Sequence, residues 1–248
     1  MSIVFNKEKH TYTDTERQIE FISGTQLKSA FVPEFQKMKI SGFVANKQNR
    51  TQEDVLCEWG LKRDIACNLG DYIHQSVEAW IKHDVAKEKN PITVLTIDKF
   101  PLKKDNLVSE HMTYNKECAL AGTIDLVKET DEDMVLYDIK TNTDLKKKRG
   151  YLLEPFDDIS NNKINKYRMQ LTIYKMMEEE RAGKDISGIK LLHWKPIMKD
   201  GLIDIEWEVI DLEPIKQMEE MGLKELVKIS GLEPIKVDSE EEFINQIV

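Results

Sequence analysis

Three charged residues stand where the interior of a sheet would be apolar. Asp125 lies in Ala121-Gly122-Thr123-Ile124-Asp125-Leu126-Val127, and Asp138 and Lys140 lie in Met134-Val135-Leu136-Tyr137-Asp138-Ile139-Lys140-Thr141. Charged side chains are rarely buried unless they are paired or hold a metal. Both stretches are rich in β-branched residues, and they flank Lys128-Glu129-Thr130-Asp131-Glu132-Asp133, which has the composition of a hairpin loop. They are expected to pair as adjacent antiparallel strands. Asp138 and Lys140 are two apart and project from one face of their strand, which Asp125 can reach from the neighbouring one. Two carboxylates and an amine meeting at a sheet rim make a divalent-metal site with a cation beside it. Such a constellation suits phosphodiester cleavage.

The rest of the chain must build the scaffold. Its 248 residues, 40% hydrophobic and 33% charged, suit one large globular domain. No run has the apolar length of a membrane span, and Met1-Ser2-Ile3-Val4-Phe5-Asn6-Lys7 lacks a signal-peptide layout. A cytoplasmic location is therefore expected. Cys57, Cys67 and Cys118 are three and far apart, so one chain can build neither a disulfide framework nor a four-cysteine cluster. The net charge of −9 looks unfavourable for a nucleic-acid partner until it is located. Residues 202–248 carry 13 acidic and 4 basic side chains, and the rest of the chain balances. Residues 138–175 carry 9 basic against 5 acidic, and a locally positive surface can hold a phosphate backbone.

In chain order, residues 3–22 read as short strands. Ser23 or Thr25 caps a helix running past Phe31 towards Lys37. A helix over 51–67 has Val55, Leu56, Trp59 and Ile65 on its apolar side, and a second begins near Gly70 with Ile73, Val77, Trp80 and Ile81 in register. His74 adjoins that stripe, where a histidine is either a hydrogen-bonded core residue or a ligand. Residues 92–97 and 107–114 read as strands, the second carrying Glu110. The run Lys146-Lys147-Lys148-Arg149 follows the central hairpin directly, where an incoming strand of DNA would pass. Residues 151–162 read as a loop ordered only by substrate. A helix over 163–181 places Gln170 and Tyr174 on one face. Strands at 187–195 and 202–210, a helix at 214–229 and a short acidic helix at 239–247 complete the chain. It divides into N-terminal strands and helices (1–69), a core (about 70–210) and an acidic C-terminal helical extension (211–248).

Gly122-Thr123-Ile124-Asp125, Asp138-Ile139-Lys140-Thr141 and Gln170-Leu171-Thr172-Ile173-Tyr174 together resemble the PD-(D/E)XK nuclease superfamily, and within it the RecB-like branch of phage-type recombination exonucleases. Gly70-Asp71-Tyr72-Ile73-His74 is similar to the histidine-bearing helix of that branch, and Glu110 to the acidic residue often found before the first aspartate. Ile124 stands where the superfamily has its eponymous proline, and the cysteines of the iron–sulfur members are absent. The resemblance implies an α/β fold with a restriction-endonuclease-like core, a central mixed sheet flanked by helices. It implies two Mg²⁺ or Mn²⁺ ions per site and no iron–sulfur cluster. Their ligands would be His74, Asp125, Asp138 and the backbone carbonyl of Ile139, with Glu110 a further candidate. Lys140 would position or deprotonate the attacking water, and Gln170 and Tyr174 would orient the site and the DNA. Lys146, Lys147, Lys148, Arg149 and Arg168 would contact the DNA backbone.

The implied activity is exonucleolytic hydrolysis of DNA to 5′-phosphate and 3′-hydroxyl ends, in recombination, repair or end processing. A single-strand annealing or single-strand-binding protein is the implied partner. The alternatives are a structure-specific or flap endonuclease of the same fold, or an inactive DNA-binding module; intact Asp125, Asp138 and Lys140 speak against the last.

Overall fold

The structure, a computed structural model, describes residues 3–83, 90–130 and 133–237. Nine strands hydrogen-bond into one mixed sheet in the order β1-β2-β3-β5-β6-β7-β8, with β4 added on β5 and β9 on β3. In chain order these are β1 (Ile3–Asn6), β2 (Thr11–Asp14), β3 (Ile19–Ser23), β4 (Leu107–Asn115), β5 (Leu120–Glu129), β6 (Asp133–Lys140), β7 (Asp185–Lys199), β8 (Leu202–Leu212) and β9 (Ile235–Lys236). Pairs β3/β5 and β6/β7 are parallel and the others antiparallel. Helix α5 (Lys163–Ala182) makes the crossover that parallel β6 and β7 require. It packs one sheet face together with α1 (Gly24–Ala30) and α6 (Lys216–Ser230), burying Leu27, Leu136, Leu171, Ile189 and Leu226. Ile73, Val77 and Ile81 of α3 (Gln52–His83) cover Leu126, Tyr137, Ile139 and Leu192 on the other.

The central hairpin forms as its pattern predicts, although residues 131–132 of its turn lie outside the described residues, as does the acidic helix expected at 239–247. Several elements differ from expectation. The two helices expected at 51–67 and from Gly70 are one helix of 32 residues. A glycine inside a helix costs about 1 kcal/mol, less than the packing of Ile73, Val77 and Ile81 returns. Residues 61–68 of it are exposed, so Ile65 faces solvent. The strand expected at 92–97 is helix α4 (Pro91–Asp98). Asn90 caps it by accepting from Thr93 N at 2.9 Å, Pro91 takes the first turn, and Trp194 and Trp207 donate to Thr96. These anchors override the β preference of Ile92-Thr93-Val94. Helix α1 stops at Ala30, and residues 37–48 form α2 (Lys37–Gln48), which the sequence did not announce. The 151–162 loop needs no ligand for order. Leu152 and Phe156 are core residues, and the backbone closes on itself and on Phe31.

Within the C-terminal extension, α6 shares the α5 core and β9 pairs with β3. All three cysteines are free thiols. No helix among the described residues is long and apolar enough to cross a membrane.

One turn beyond Tyr174 on α5, Glu178 is fully buried between His111 of β4, at 3.1 Å, and Arg181, which donates twice. Burial pushes its carboxyl up, but these hydrogen bonds outweigh burial and bring it down to about 2. A carboxyl depressed on folding adds stability that is present above its ordinary value and lost as pH falls through the folded one. The pair should therefore contribute about 3 kcal/mol above pH 4.5, fading to nothing near pH 2. Urea unfolding of the wild type and Glu178→Gln should show a gap that closes across this window; a gap constant with pH would contradict the assignment.

Candidate active site

The sheet opens where the chemistry is concentrated. On one side of β5, Leu120 and Ala121 pair with β3, and residues 126–129 pair with β6. Residues 122–125 between them have no strand partner on that side among the described residues. Here the strand also changes phase. Leu120 and Ile124 face the α5 side, yet beyond Asp125 it is Val127 that does so, while Leu126 turns to α3. Across the β4/β5 ladder Glu110 adopts the left-handed region (φ 52°), and its pair with Asp125 is the one missing from a ladder that keeps the same register on either side. Irregularities of this kind commonly re-aim side chains beside functional sites. Their effect is to bring Glu110 and Asp125 together with His74 from α3, one ligand atom of each lying within 4.8 Å of the others.

Asp125 takes the place of the missing ladder bond, its Oδ2 accepting from Ile139 N at 2.7 Å. His74 Nε2 lies 3.0 Å from the Ile139 carbonyl. In the tautomer that donates there, Nδ1 turns its lone pair towards Asp125 Oδ1, 3.6 Å away. Two lone-pair donors facing each other across that gap are what two ligands of one cation look like. A metal-binding histidine usually gives its other N–H to a carbonyl or carboxylate. The Ile139 carbonyl, expected as a ligand, also accepts from Lys140 Nζ at 3.0 Å. The carbonyl thus lies between His74 and Lys140 at the edge of the cluster.

Asp138 and Lys140 form the second half of the site on the α5 side. Asp138 is buried, and its Oδ2 lies 2.7 Å from Lys140 Nζ without a well-aligned hydrogen bond. Burial pushes the Asp138 carboxyl up, and Lys140 pulls against it. For Lys140, burial favours the neutral amine. Asp138, together with Asp125 at 3.9 Å, outweighs this and holds the ammonium above its ordinary value. Lys140 lies under the ring of Tyr167 at 5.0 Å. Glu110 is pushed up by burial and by the carboxylates of Asp125 and Glu78. Partly buried carboxylates crowded around an imidazole, with an under-bonded oxygen on Asp138, fit a hard divalent cation.

Gln170 and Tyr174 do share one face of α5, and Gln170 Nε2 donates to Tyr174 OH at 3.2 Å. Tyr174 is buried, with its ring wedged against Gly24 and Gly122; a Cβ on either would lie within 2.5 Å of ring carbon Cε1. The glycine of the Gly-Thr-Ile-Asp stretch is thus the seat of a tyrosine fifty residues on. Arg168, expected at DNA, donates instead to the carbonyls of Glu213 and Pro214 and ties α5 to the β8–α6 connection. Of the basic run, Lys148 stacks on Tyr151 at 3.8 Å.

Lys28 of α1 was not anticipated. Its Nζ donates to Gln170 Oε1 at 3.0 Å. Burial, against the pull of Asp138 and with Lys140 and Lys166 adding repulsion, lowers it to about 8. Only the packing of α1 on α5 brings it there, and no local pattern signals that. Glu110, Asp125, Lys140 and His74 line a cleft of about 790 Å³. One wall is α3 and the other the β1–β2 hairpin, with Phe5 stacked on Tyr12 and Lys7 nearby.

No family model matches the chain, and no curated protein matches it. Among solved structures, the crystal structure of SSO0001 is similar at a TM-score of 0.37 and 16% identity, over 84% of this chain and 74% of that one. Likeness at that level carries no argument about function.

Proposed function

We propose that the chain is a Mg²⁺- or Mn²⁺-dependent deoxyribonuclease with the restriction-endonuclease-like core of the PD-(D/E)XK superfamily, acting as an exonuclease. The observation that carries this reading is the meeting of His74, Glu110 and Asp125 in the sheet opening, beside the Asp138–Lys140 pair, at the wall of an open cleft. A phosphodiester is an anion that must be approached by a nucleophile of like charge. His74, Glu110 and Asp125 would hold the metal, with Asp138 completing the acidic set. Bound there, a divalent ion supplies an acidified water and neutralises the phosphoryl oxygens. Ile139 fixes the imidazole, leaving Nδ1 for the ion. Lys140 contributes donors that orient the water and phosphate, and its charge offsets Asp138 while the site awaits substrate. Lys28 and Tyr174 hold the Gln170 amide from its two ends, so that it meets the strand in one orientation.

Exonuclease action makes a sharp prediction. With Mn²⁺, linear duplex DNA labelled at each end should be degraded progressively from an end, whereas covalently closed circles should survive. Cleaved circles would replace this reading with an endonuclease of the same site, and no cleavage of either would remove the nuclease reading.

A further inference from the structure

The basic run after β6 is exposed, yet its side chains do not all stand alone in solvent. Lys147 and Arg149 turn into a small pocket at the N-terminus of α5, where Lys163 and Lys166 meet them. The pocket measures about 70 Å³, room for several waters or one tetrahedral oxyanion. Four cations face a single carboxylate, Asp144. Helix α5 is 20 residues long, so its N-terminal dipole adds to the positive field.

Two further observations point to a ligand. Asn161, 5% exposed, lines the pocket, and its side-chain Oδ1 is buried without a hydrogen-bond partner. A half-turn of that amide exchanges its oxygen for its NH₂ and leaves a buried donor, in place of an acceptor, on a residue that lines the pocket. Lys163 and Lys166 are both shifted down, by burial and then by Arg149. Cations crowded in this way are stabilised by an anion among them. The pocket is also held in shape by backbone. Arg149 N donates to Asn161 O at 2.8 Å, Asn161 N to Gly150 O at 2.9 Å, and Ile164 N to Leu145 O at 3.2 Å.

We infer that Lys147, Arg149, Lys163, Lys166 and Asn161 form a preformed socket for one phosphate group of a nucleic-acid strand, distinct from the metal site and beside it. The nucleic-acid assignment rests on the function proposed above; the oxyanion site does not. Two links join socket and site. Lys163 Nζ donates to Thr143 O at 2.7 Å, three residues from Lys140, and Tyr167, one residue past Lys166, hydrogen-bonds Asn142 and covers Lys140. A phosphate seated here would fix the register of the strand in the cleft.

The test uses the full chain in EDTA, so that nothing is cut, with two probes: inorganic phosphate, and a short oligodeoxynucleotide over a range of salt. Asn161→Asp is nearly isosteric and puts a negative charge in the pocket; Arg149→Gln/Lys166→Gln removes two cations. Both variants should lose phosphate binding and bind the oligonucleotide at least tenfold more weakly, with a salt slope reduced by about 1. Arg149→Lys should recover most of the affinity. Circular dichroism and thermal unfolding like the wild type's identify a variant as folded, and Asn161→Asp serves if the double variant is not. Unchanged oligonucleotide affinity and slope in a folded variant would overturn the inference while leaving the nuclease reading intact. Wild type that binds phosphate at this socket but no oligonucleotide would overturn the nucleic-acid source, and the proposed function with it.

Discussion

Asp138→Asn should reduce Mn²⁺-dependent DNA cleavage by at least about 10³-fold, equivalent to about 4 kcal/mol of transition-state stabilisation, and leave DNA affinity in EDTA within a few-fold. The change keeps the shape of a side chain that is 4% exposed but removes the charge that pairs with Lys140 and faces the acidic cluster. A buried lysine left without its carboxylate would also re-aim towards Asp125 Oδ2, 3.9 Å away, and neutralise the carboxylate assigned to the cation. Single-turnover cleavage measured beside filter-binding affinity separates these effects. Activity within tenfold of the wild type would show that Asp138 is a buried structural charge and no part of the chemistry.

The second large effect is at Gly122. In Gly122→Ala the new methyl would lie 2.5 Å from Tyr174 Cε1 and 2.9 Å from Cζ. The same ring edge also fills the place of a side chain at Gly24, where an added Cβ would lie 2.3 Å from Cε1. Overpacking of this kind costs about 1–3 kcal/mol, or roughly 4–8 °C in Tm for a loss of 2 kcal/mol in a chain this size. Cleavage should fall as well, since the Tyr174 hydroxyl anchors Gln170. A double-mutant cycle isolates the clash: Gly122→Ala should cost clearly less in a Tyr174→Leu background. Equal costs in the two backgrounds would mean that the glycine is required for some other reason.

These positions show what the sequence could and could not disclose. Asp125, Asp138 and Lys140 were legible because a charge in a β-branched run is locally anomalous, and period-two alternation fixes which of them share a face. Their pairing partner was legible for the same reason. Glu110 stood out less, because its convergence with Asp125 depends on a left-handed residue that interrupts alternation, and no pattern rule predicts that. Lys28 was invisible, since a lysine in an amphipathic first helix looks solvated until α1 is packed on α5. Arg168, expected at DNA, is held by two backbone carbonyls of the β8–α6 connection, a contact that only tertiary packing creates. The strand expected at 92–97 failed through composition: Ile, Thr and Val favour sheet, but Asn90-Pro91 and two tryptophan donors favour a helix turn.

The central claim is that His74, Glu110 and Asp125 hold a divalent cation, and a Mn²⁺ titration followed by electron paramagnetic resonance tests it without any substrate. The wild type should sequester Mn²⁺ from the free pool, and Asp125→Asn and His74→Ala should each weaken that binding at least tenfold while remaining folded. Titration curves that superimpose for all three proteins would contradict it.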